Sequence, residues 1–190
     1  MDFDDTKDEM NIVLGDTGDV TFTPEEKIRA LTKAWNDPYV VDDVWDTTRT
    51  FDITTYQTVV PTALSTVKDI AIITGTGEFP QSVDGNYWTV VDGNIQWSAD
   101  ARNDIPEAST LYILGTKKLT VNDTLPSVAL EEYVIALGSV NTLTLLGYKK
   151  ANLFLKNDTS MGELIALKRD LQRDVETMKA RFAKTFQDLG

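Results

Sequence analysis

The 190-residue chain contains no histidine and no cysteine. These two residue types supply most general bases, soft metal ligands and activated nucleophiles at neutral pH. Only carboxylates, lysine, tyrosine and hydroxyls remain for chemistry, so we expect a protein that is not an enzyme and that holds neither a cofactor nor a metal. Because no disulfide can form within the chain, its fold does not demand an oxidising compartment.

Long apolar runs and an excess of basic residues are also missing. No stretch approaches the roughly 18 consecutive apolar residues of a membrane-spanning helix, so we expect no membrane partner. The first five residues are acidic instead of basic and apolar, and we therefore expect no secretory signal and assembly in the cytoplasm. The net charge of −12 argues against specific binding to nucleic acid, which needs clustered Lys and Arg.

Negative charge is concentrated at the start of the chain. Residues 1–22 carry seven acidic side chains and one lysine, with little periodicity, so we predict a flexible acidic N-terminal arm. The last thirty residues are slightly basic, and the two segments could meet between neighbouring subunits. A solvated arm beside an ordinary surface helix is the simpler explanation of the same charges.

Residues 23–190 are predicted to form a single domain in three parts. Thr23 as an N-cap with Pro24 in the first turn predicts a helix over 23–37. Residues 40–121 read as short antiparallel strands separated by turns, and residues 124–190 return to helical periodicity. The predicted fold class is α+β, a helical bundle of the N-terminal helix and two long C-terminal helices, with a small antiparallel β-sheet or sandwich inserted between them.

The β-rich part contains one strong local signal. Two aromatic-rich runs are joined through Asp92-Gly93, a pair that tolerates the positive φ of a tight hairpin turn. Other strands are predicted over 50–54, 56–60, 67–73 and 110–115. Six large side chains are expected to fill the core of the sheet: Phe51, Tyr56, Ile72, Trp88, Trp97 and Tyr112.

Acidic residues offer the main catalytic or metal-binding alternatives. Pairs of acids could hydrolyse glycosides, although acids in turns are usually caps; the pairs are Asp42 with Asp43, Asp92 with Asp100, and Asp104 with Glu107. Residues 2–5 and 16–19 resemble fragments of calcium loops. Neither fragment has all the oxygen ligands, the central Gly and the terminal Glu of a complete loop.

Two further patterns have a functional and a structural interpretation. Residues 75–80 superficially resemble a phosphate loop, but no Lys-Ser/Thr pair closes it, so we expect an exposed contact loop. Trp88 and Trp97 could form a stacking platform for carbohydrate, although core packing is the simpler expectation.

The order of the elements resembles that of head-to-tail adaptor proteins (connector or neck proteins) of tailed bacteriophages. The resemblance covers approximately residues 23–187 and rests on order and spacing. It is carried by the following segments: Trp35-Asn36-Asp37-Pro38, residues 56–61, the run 67–73, the glycine-rich loop, the hairpin with Asp92-Gly93, the strand 111–114, Asp123-Thr124-Leu125-Pro126 and Leu130-Glu131-Glu132-Tyr133.

The resemblance implies a structural protein of the virion neck that forms a twelvefold ring beneath the portal and links the DNA-filled capsid to the tail. Its partners would be copies of itself, the portal protein and tail or neck proteins, while DNA passes through without specific binding. The implied portal-docking residues lie at the C-terminal end: Met178, Phe182, Phe186 and Leu189 as apolar anchors, with Arg181 and Lys184 as a polar rim.

The loop 75–86 would face the neighbouring subunit or the next tail component. Its candidate contact residues are Gly75, Gly77, Glu78, Phe79 and Asp84. The alternatives to an adaptor are another virion component, such as a tail completion or capsid decoration protein, and a carbohydrate-binding module. A carboxylate-based hydrolase is a more distant alternative.

Overall fold

The computed structural model describes residues 1–19, 21–52, 54–73, 79–145 and 161–187, except for the side chains of Met161 and of residues 184–187. It is 44% helical and 24% strand with antiparallel sheets, which confirms the α+β class. The chain divides into a helical unit (residues 1–40 with 119–190) and a β unit (Val41–Lys118). Each unit has its own apolar core, so the segment 23–190, predicted as a single domain, contributes to two compact units.

Among the described residues, the helices and strands follow one another in this order: α1 (Phe3–Leu14), α2 (Pro24–Trp35), β1 (Val41–Thr50), β2 (Gln57–Val59), β3 (Thr66–Ile72), β4 (Gln81–Ser82), β5 (Trp88–Val91), β6 (Asn94–Trp97), α3 (Ala101–Asp104), β7 (Thr110–Lys118), α4 (Val128–Thr144) and α5 (Met161–Gln187). A short 3₁₀ turn, Gly85–Tyr87, precedes β5.

The acidic segment 1–22, predicted as a flexible arm, instead contributes helix α1 to the helical unit. Asp2 caps the helix by accepting the N–H of Asp5, and Gly15 ends it with φ of 63°. Thr6, Met10 and Leu14 recur every four residues and are buried. The prediction was wrong because this buried stripe is only one residue wide and includes the polar Thr6, so the acidic neighbours dominate the sequence pattern.

Helix α4 lies between the other helices of its unit and packs against α1, α2 and α5. It begins at the N-cap Ser127, whose hydroxyl accepts the N–H of Leu130. At Gly138 an added Cβ would lie 3.0 Å from Sδ of Met10 and 3.6 Å from Cα of Leu31. The backbone of α2 therefore approaches α4 closely at Gly138, where a side chain would be in the way.

The helix predicted over 23–37 is confirmed as α2. Thr23 and Glu26 form a complete capping box, in which each side chain bonds the backbone N–H of the other residue. Pro24 occupies the first turn, and the helix ends at Trp35 as the Asn-Asp-Pro sequence requires.

The β unit consists of two antiparallel sheets. One has four strands in the order β1-β7-β3-β4, and the other has three in the order β2-β6-β5. Residues from both sheets share one core, in which the rings of Phe51 and Trp97 meet edge to face at 5.1 Å. The predicted hairpin is confirmed, with Asp92 and Gly93 at φ of 49° and 74°.

A predicted strand is misplaced in this unit. Only Thr50 of the predicted strand 50–54 lies in a strand; Phe51, Asp52 and Thr54 do not, and the carboxylate of Asp52 accepts the N–H and the hydroxyl of Thr54 instead. The strand instead precedes them, as the acid-rich edge strand β1.

Of the six expected core side chains, Phe51, Ile72 and Trp97 are buried. Trp88 and Tyr112 are half-buried. Tyr56 is 39% exposed, and the guanidinium of Arg102 lies 3.5 Å from its ring centroid. Tyr56 therefore lies outside the core, and its backbone takes a left-handed conformation, with φ of 53°.

Candidate functional site

The end of α5 is held on its own unit by aromatic contacts. The ring of Phe182 meets Tyr133 edge to face at 5.4 Å and stacks against Tyr39 at 6.4 Å. The Tyr133 hydroxyl donates to Oδ1 of Asp37 at 2.8 Å, and the N–H of Tyr39 donates to the same oxygen. Burial and the hydrogen bond to the Asp37 carboxylate raise the pKa of Tyr133 far above its usual value, so it stays a neutral donor.

This arrangement changes the assignment of the predicted portal-docking residues. Met178 and Phe182 pack against the core of the helical unit, so they fix α5 in place and are not free apolar anchors. Arg181 is exposed and, with Ala129 and Glu132, lines a small cavity of about 50 Å³ beside them. The side chains of Lys184 and Phe186, and all of Leu189, lie outside the described residues.

The predicted contact loop is described only in part, since Gly75, Gly77 and Glu78 lie outside the described residues. Phe79 is 87% exposed. Asp84 is exposed too, and its carboxylate accepts the N–H of Asn86 at 2.9 Å. Phe79 therefore presents a large apolar side chain to solvent, while Asp84 has a local structural role as the cap of the 3₁₀ turn.

The β unit contains a cavity of about 170 Å³, whose lining includes residues 81–84 at the end of this loop. Ile72, Val83 and Ile105 form apolar parts of its lining, and Tyr87 with Asp104 forms a polar part. The Tyr87 hydroxyl donates to the Asp104 carboxylate, which raises the pKa of the tyrosine. Asp104 is thus a hydrogen-bond acceptor for a tyrosine within the unit.

The segment at residues 16–19, which resembles a fragment of a calcium loop, binds the ammonium group of Lys27. The ammonium of Lys27 lies 3.0 Å from Oδ2 of Asp16 and 2.8 Å from Oδ1 of Asp19, and it donates to the backbone oxygen of Asp16. The Lys27 side chain is only 1% exposed. A lysine at this depth needs its charge compensated, so the loop is a structural ion-pair site.

Sequence reasoning did not identify Lys27 as a buried residue. Its position gives a signal, because Lys27, Leu31 and Ala34 fall on one face of α2 and the last two are fully buried. A lysine on an apolar face, close in sequence to an acidic loop, indicates a buried ion pair.

The tryptophan platform for carbohydrate is not formed. Trp97 is buried and its indole N–H donates to the Thr58 hydroxyl at 3.0 Å, while Trp88 packs partly against the same core. Trp45 on β1 is 52% exposed but stands apart from both in the sheet order. The structure therefore contradicts a carbohydrate-binding face built on Trp88 and Trp97.

Within the described ranges, no cluster of three or more acidic side chains is placed to hold a metal ion. In the same part of the chain, no helix has the length and apolar character needed to cross a bilayer. No protein-family model matches the chain, and no curated protein is significantly similar to it.

Replacing the buried lysine tests the ion-pair site. We expect Lys27→Met to lower the free energy of unfolding by about 3–5 kcal/mol, because it leaves the Asp16 carboxylate buried without its counter-charge. Lys33→Met, at an exposed position of the same helix, should change it by less than about 0.5 kcal/mol. Urea unfolding followed by helical circular dichroism measures both. Equal effects of the two substitutions would contradict this assignment.

The same site makes stability depend on pH. Burial alone would raise the pKa of Asp16, but the N–H groups of Thr21 and Phe22 and the Lys27 ammonium together hold it below its ordinary value. Asp16 therefore contributes stability that is fully present above its unfolded pKa of about 3.9 and is lost as the pH falls through the lower folded value.

We expect the difference in unfolding free energy between the wild type and Asp16→Asn to be constant above about pH 5 and to shrink below about pH 4. Denaturant unfolding of both proteins at a series of pH values measures this difference. A difference that grows on acidification would contradict the assigned direction of the pKa.

Proposed function

We propose that the chain is a head-to-tail adaptor of a tailed bacteriophage, which forms a ring beneath the portal and joins the DNA-filled capsid to the tail. The proposal is carried by the architecture, in which the β unit Val41–Lys118 interrupts the helical unit. The resemblance implies the same arrangement, a helical bundle whose N-terminal helix and two long C-terminal helices enclose an antiparallel β-rich insertion in sequence.

The surface chemistry supports a role in assembly. Phe79 is 87% exposed in the segment proposed to face a neighbouring subunit or the next tail component. Fully burying a side chain of this size contributes about 1.5–3 kcal/mol, which is large for a single contact and is repeated at every interface of a ring. Phe79 is therefore the residue on which we place the contact between subunits or with the tail.

The portal-docking surface is now proposed for the exposed Arg181 and the residues that follow it. Phe182 has aromatic partners within its own unit, so docking through it would require breaking the contacts with Tyr133 and Tyr39. Lys184, Phe186 and Leu189 stay candidate docking residues from the sequence. The net charge of −12 fits a passage for DNA, because an acidic wall repels phosphates and does not retain the genome.

A truncation after Ala183 tests portal docking. It removes Lys184, Phe186 and Leu189 but keeps Phe182, so α5 remains attached to its unit. We expect the full chain to bind the purified portal of its own particle as a ring and the truncated chain to lose most of this binding. Electron cryomicroscopy and co-sedimentation measure ring formation and binding.

Circular dichroism of the truncated chain is the control for folding. A truncated chain that joins the portal as well as the full chain would refute the docking assignment. Location of the full chain elsewhere in the particle would favour a tail completion or capsid decoration protein instead of an adaptor.

Charge placed at Phe79 tests the contact loop. We expect Phe79→Asp to reduce ring formation at least about tenfold with little loss of stability, because the side chain is exposed in the single chain and buried only in the assembly. Val128→Asp is the matched control, since Val128 is also exposed, at 67%, but lies on α4 outside the loop. If both variants form rings equally well, Phe79 is not the contact residue.

A further inference from the structure

Strand β5 lies at an edge of the three-stranded sheet. The hydrogen-bonding pattern between β5 and β6 shows which of its backbone N–H and C=O groups point away from the sheet. The N–H of Trp97 donates to the carbonyl of Tyr56, so Trp97 directs its backbone groups toward β2. Trp88 and Val90 lie opposite Trp97 and Ile95 in the β5–β6 register, at non-hydrogen-bonded positions. Their N–H and C=O groups therefore point away from the sheet, and no described residue bonds them.

The other strands at sheet edges are protected. Strand β1 carries Asp42, Asp43, Asp46 and Arg49, and β4 is only two residues long and follows Pro80. On β2, the outward carbonyls of Gln57 and Val59 accept hydrogen bonds from Thr55 and Arg49 side chains. These are the devices by which proteins prevent edge-to-edge pairing.

Strand β5 has none of these devices. Its sequence Trp-Thr-Val-Val contains no charge and no proline, and Thr89, Val90 and Val91 are exposed. Both valines favour extended pairing. Among the sheet edges that the structure describes, β5 is the one left open to a further strand.

Electrostatics indicates where a second copy can approach with the least repulsion. Two chains of net charge −12 repel each other, and they approach at least cost where both surfaces are neutral. The outward face of the three-stranded sheet carries only uncharged residues at its paired positions: Gln57, Val59, Thr89, Val91, Asn94 and Gln96. The open edge and the neutral face coincide.

We propose that β5 pairs with β5 of a second copy in antiparallel orientation about a twofold axis, which joins two three-stranded sheets into one of six strands. One register satisfies the most groups: Trp88 of each copy exchanges both backbone hydrogen bonds with Val90 of the other. Thr89 then faces its own counterpart across the axis as a non-hydrogen-bonded pair. A shift by one residue sets the outward groups of Trp88 and Val90 opposite Thr89 and Val91 or turn residues, and the bonds are lost because Thr89 and Val91 bond β6. A shift by two residues places a turn residue opposite Trp88 or Val90, so that fewer bonds form.

Side chains agree with this register. Trp88 would neighbour the other copy's Val90 on one face, an aromatic and β-branched pair, and the two Thr89 hydroxyls would meet on the neutral face. Only four residues per copy take part, so the interface is smaller than that of stable complexes and the association is weak and concentration-dependent. This inference rests on strand geometry and on the distribution of charge, and it is independent of the adaptor role.

A single introduced cysteine tests the register of the β5–β5 pair directly, because the natural chain has no cysteine. Non-hydrogen-bonded antiparallel partners lie about 4.5 Å apart at Cα, within the range that a disulfide spans. We expect Thr89→Cys to form a covalent dimer under mild oxidation, at least about tenfold faster than Gln57→Cys on the protected edge. Equal rates for the two variants would overturn the proposal.

A proline at a β5 position whose N–H points away from β6 removes that N–H donor and leaves the hydrogen bonds between β5 and β6 intact. Val90→Pro should weaken self-association at least about tenfold in sedimentation velocity, whereas Val59→Pro, outward on the protected edge, should not. Added salt should strengthen association, because it screens the repulsion between acidic copies.

A folded Val90→Pro variant that associates like the wild type, or a wild type that is monomeric at every concentration, would refute the pairing. If Val90→Pro does not fold, the cysteine crosslink decides.

Discussion

The burial of α4 on nearly all sides is the constraint on which the helical unit depends. Its seventeen residues, Val128–Thr144, contain two glutamates near the start, Glu131 and Glu132, and are otherwise apolar or weakly polar. A helix of this kind must be covered on several faces, and α2 and α5 cannot cover them all. Helix α1 supplies the missing cover, and Gly138 lets Met10 and Leu31 come close enough to do so.

That constraint explains why an acidic segment is ordered. Helix α1 gives few apolar side chains to the core, so its position depends also on the loop that follows. There Lys27, reaching from α2, binds both carboxylates of the loop, at Asp16 and Asp19. Buried ion pairs contribute little net stability compared with apolar packing, but they are costly to break one partner at a time. The pair therefore fixes how α1 connects to α2 more than it strengthens the core.

The sequence predicts the parts of the fold whose causes are local. The N-cap at Thr23, the first turn at Pro24 and the Asp92-Gly93 turn depend on neighbouring residues alone, and all three form as expected. Strand β1 could not be predicted in this way, because its acids disfavour strands and only pairing with β7 makes it one.

Candidate sites show the same limit. The exposure of Phe79 follows from its position in a loop, which the sequence indicates. The roles of Met178 and Phe182 do not, because an apolar residue on an amphipathic helix has the same pattern whether it meets its own core or a partner. Only the distances to Tyr133 and Tyr39 distinguish the two, and they assign Phe182 to the core.

The two proposed self-contacts of the β unit differ in symmetry, and this decides how they relate. Pairing through β5 is isologous, so it closes on itself as a dimer and cannot extend into a ring, whereas a ring needs a heterologous contact such as the one placed at Phe79. Backbone hydrogen bonds on a water-exposed edge contribute about 0.5–1.5 kcal/mol each. A four-bond pair is therefore weak enough for the proposed ring to displace it, and before the ring assembles it would cover the edge that stays open among the described strands.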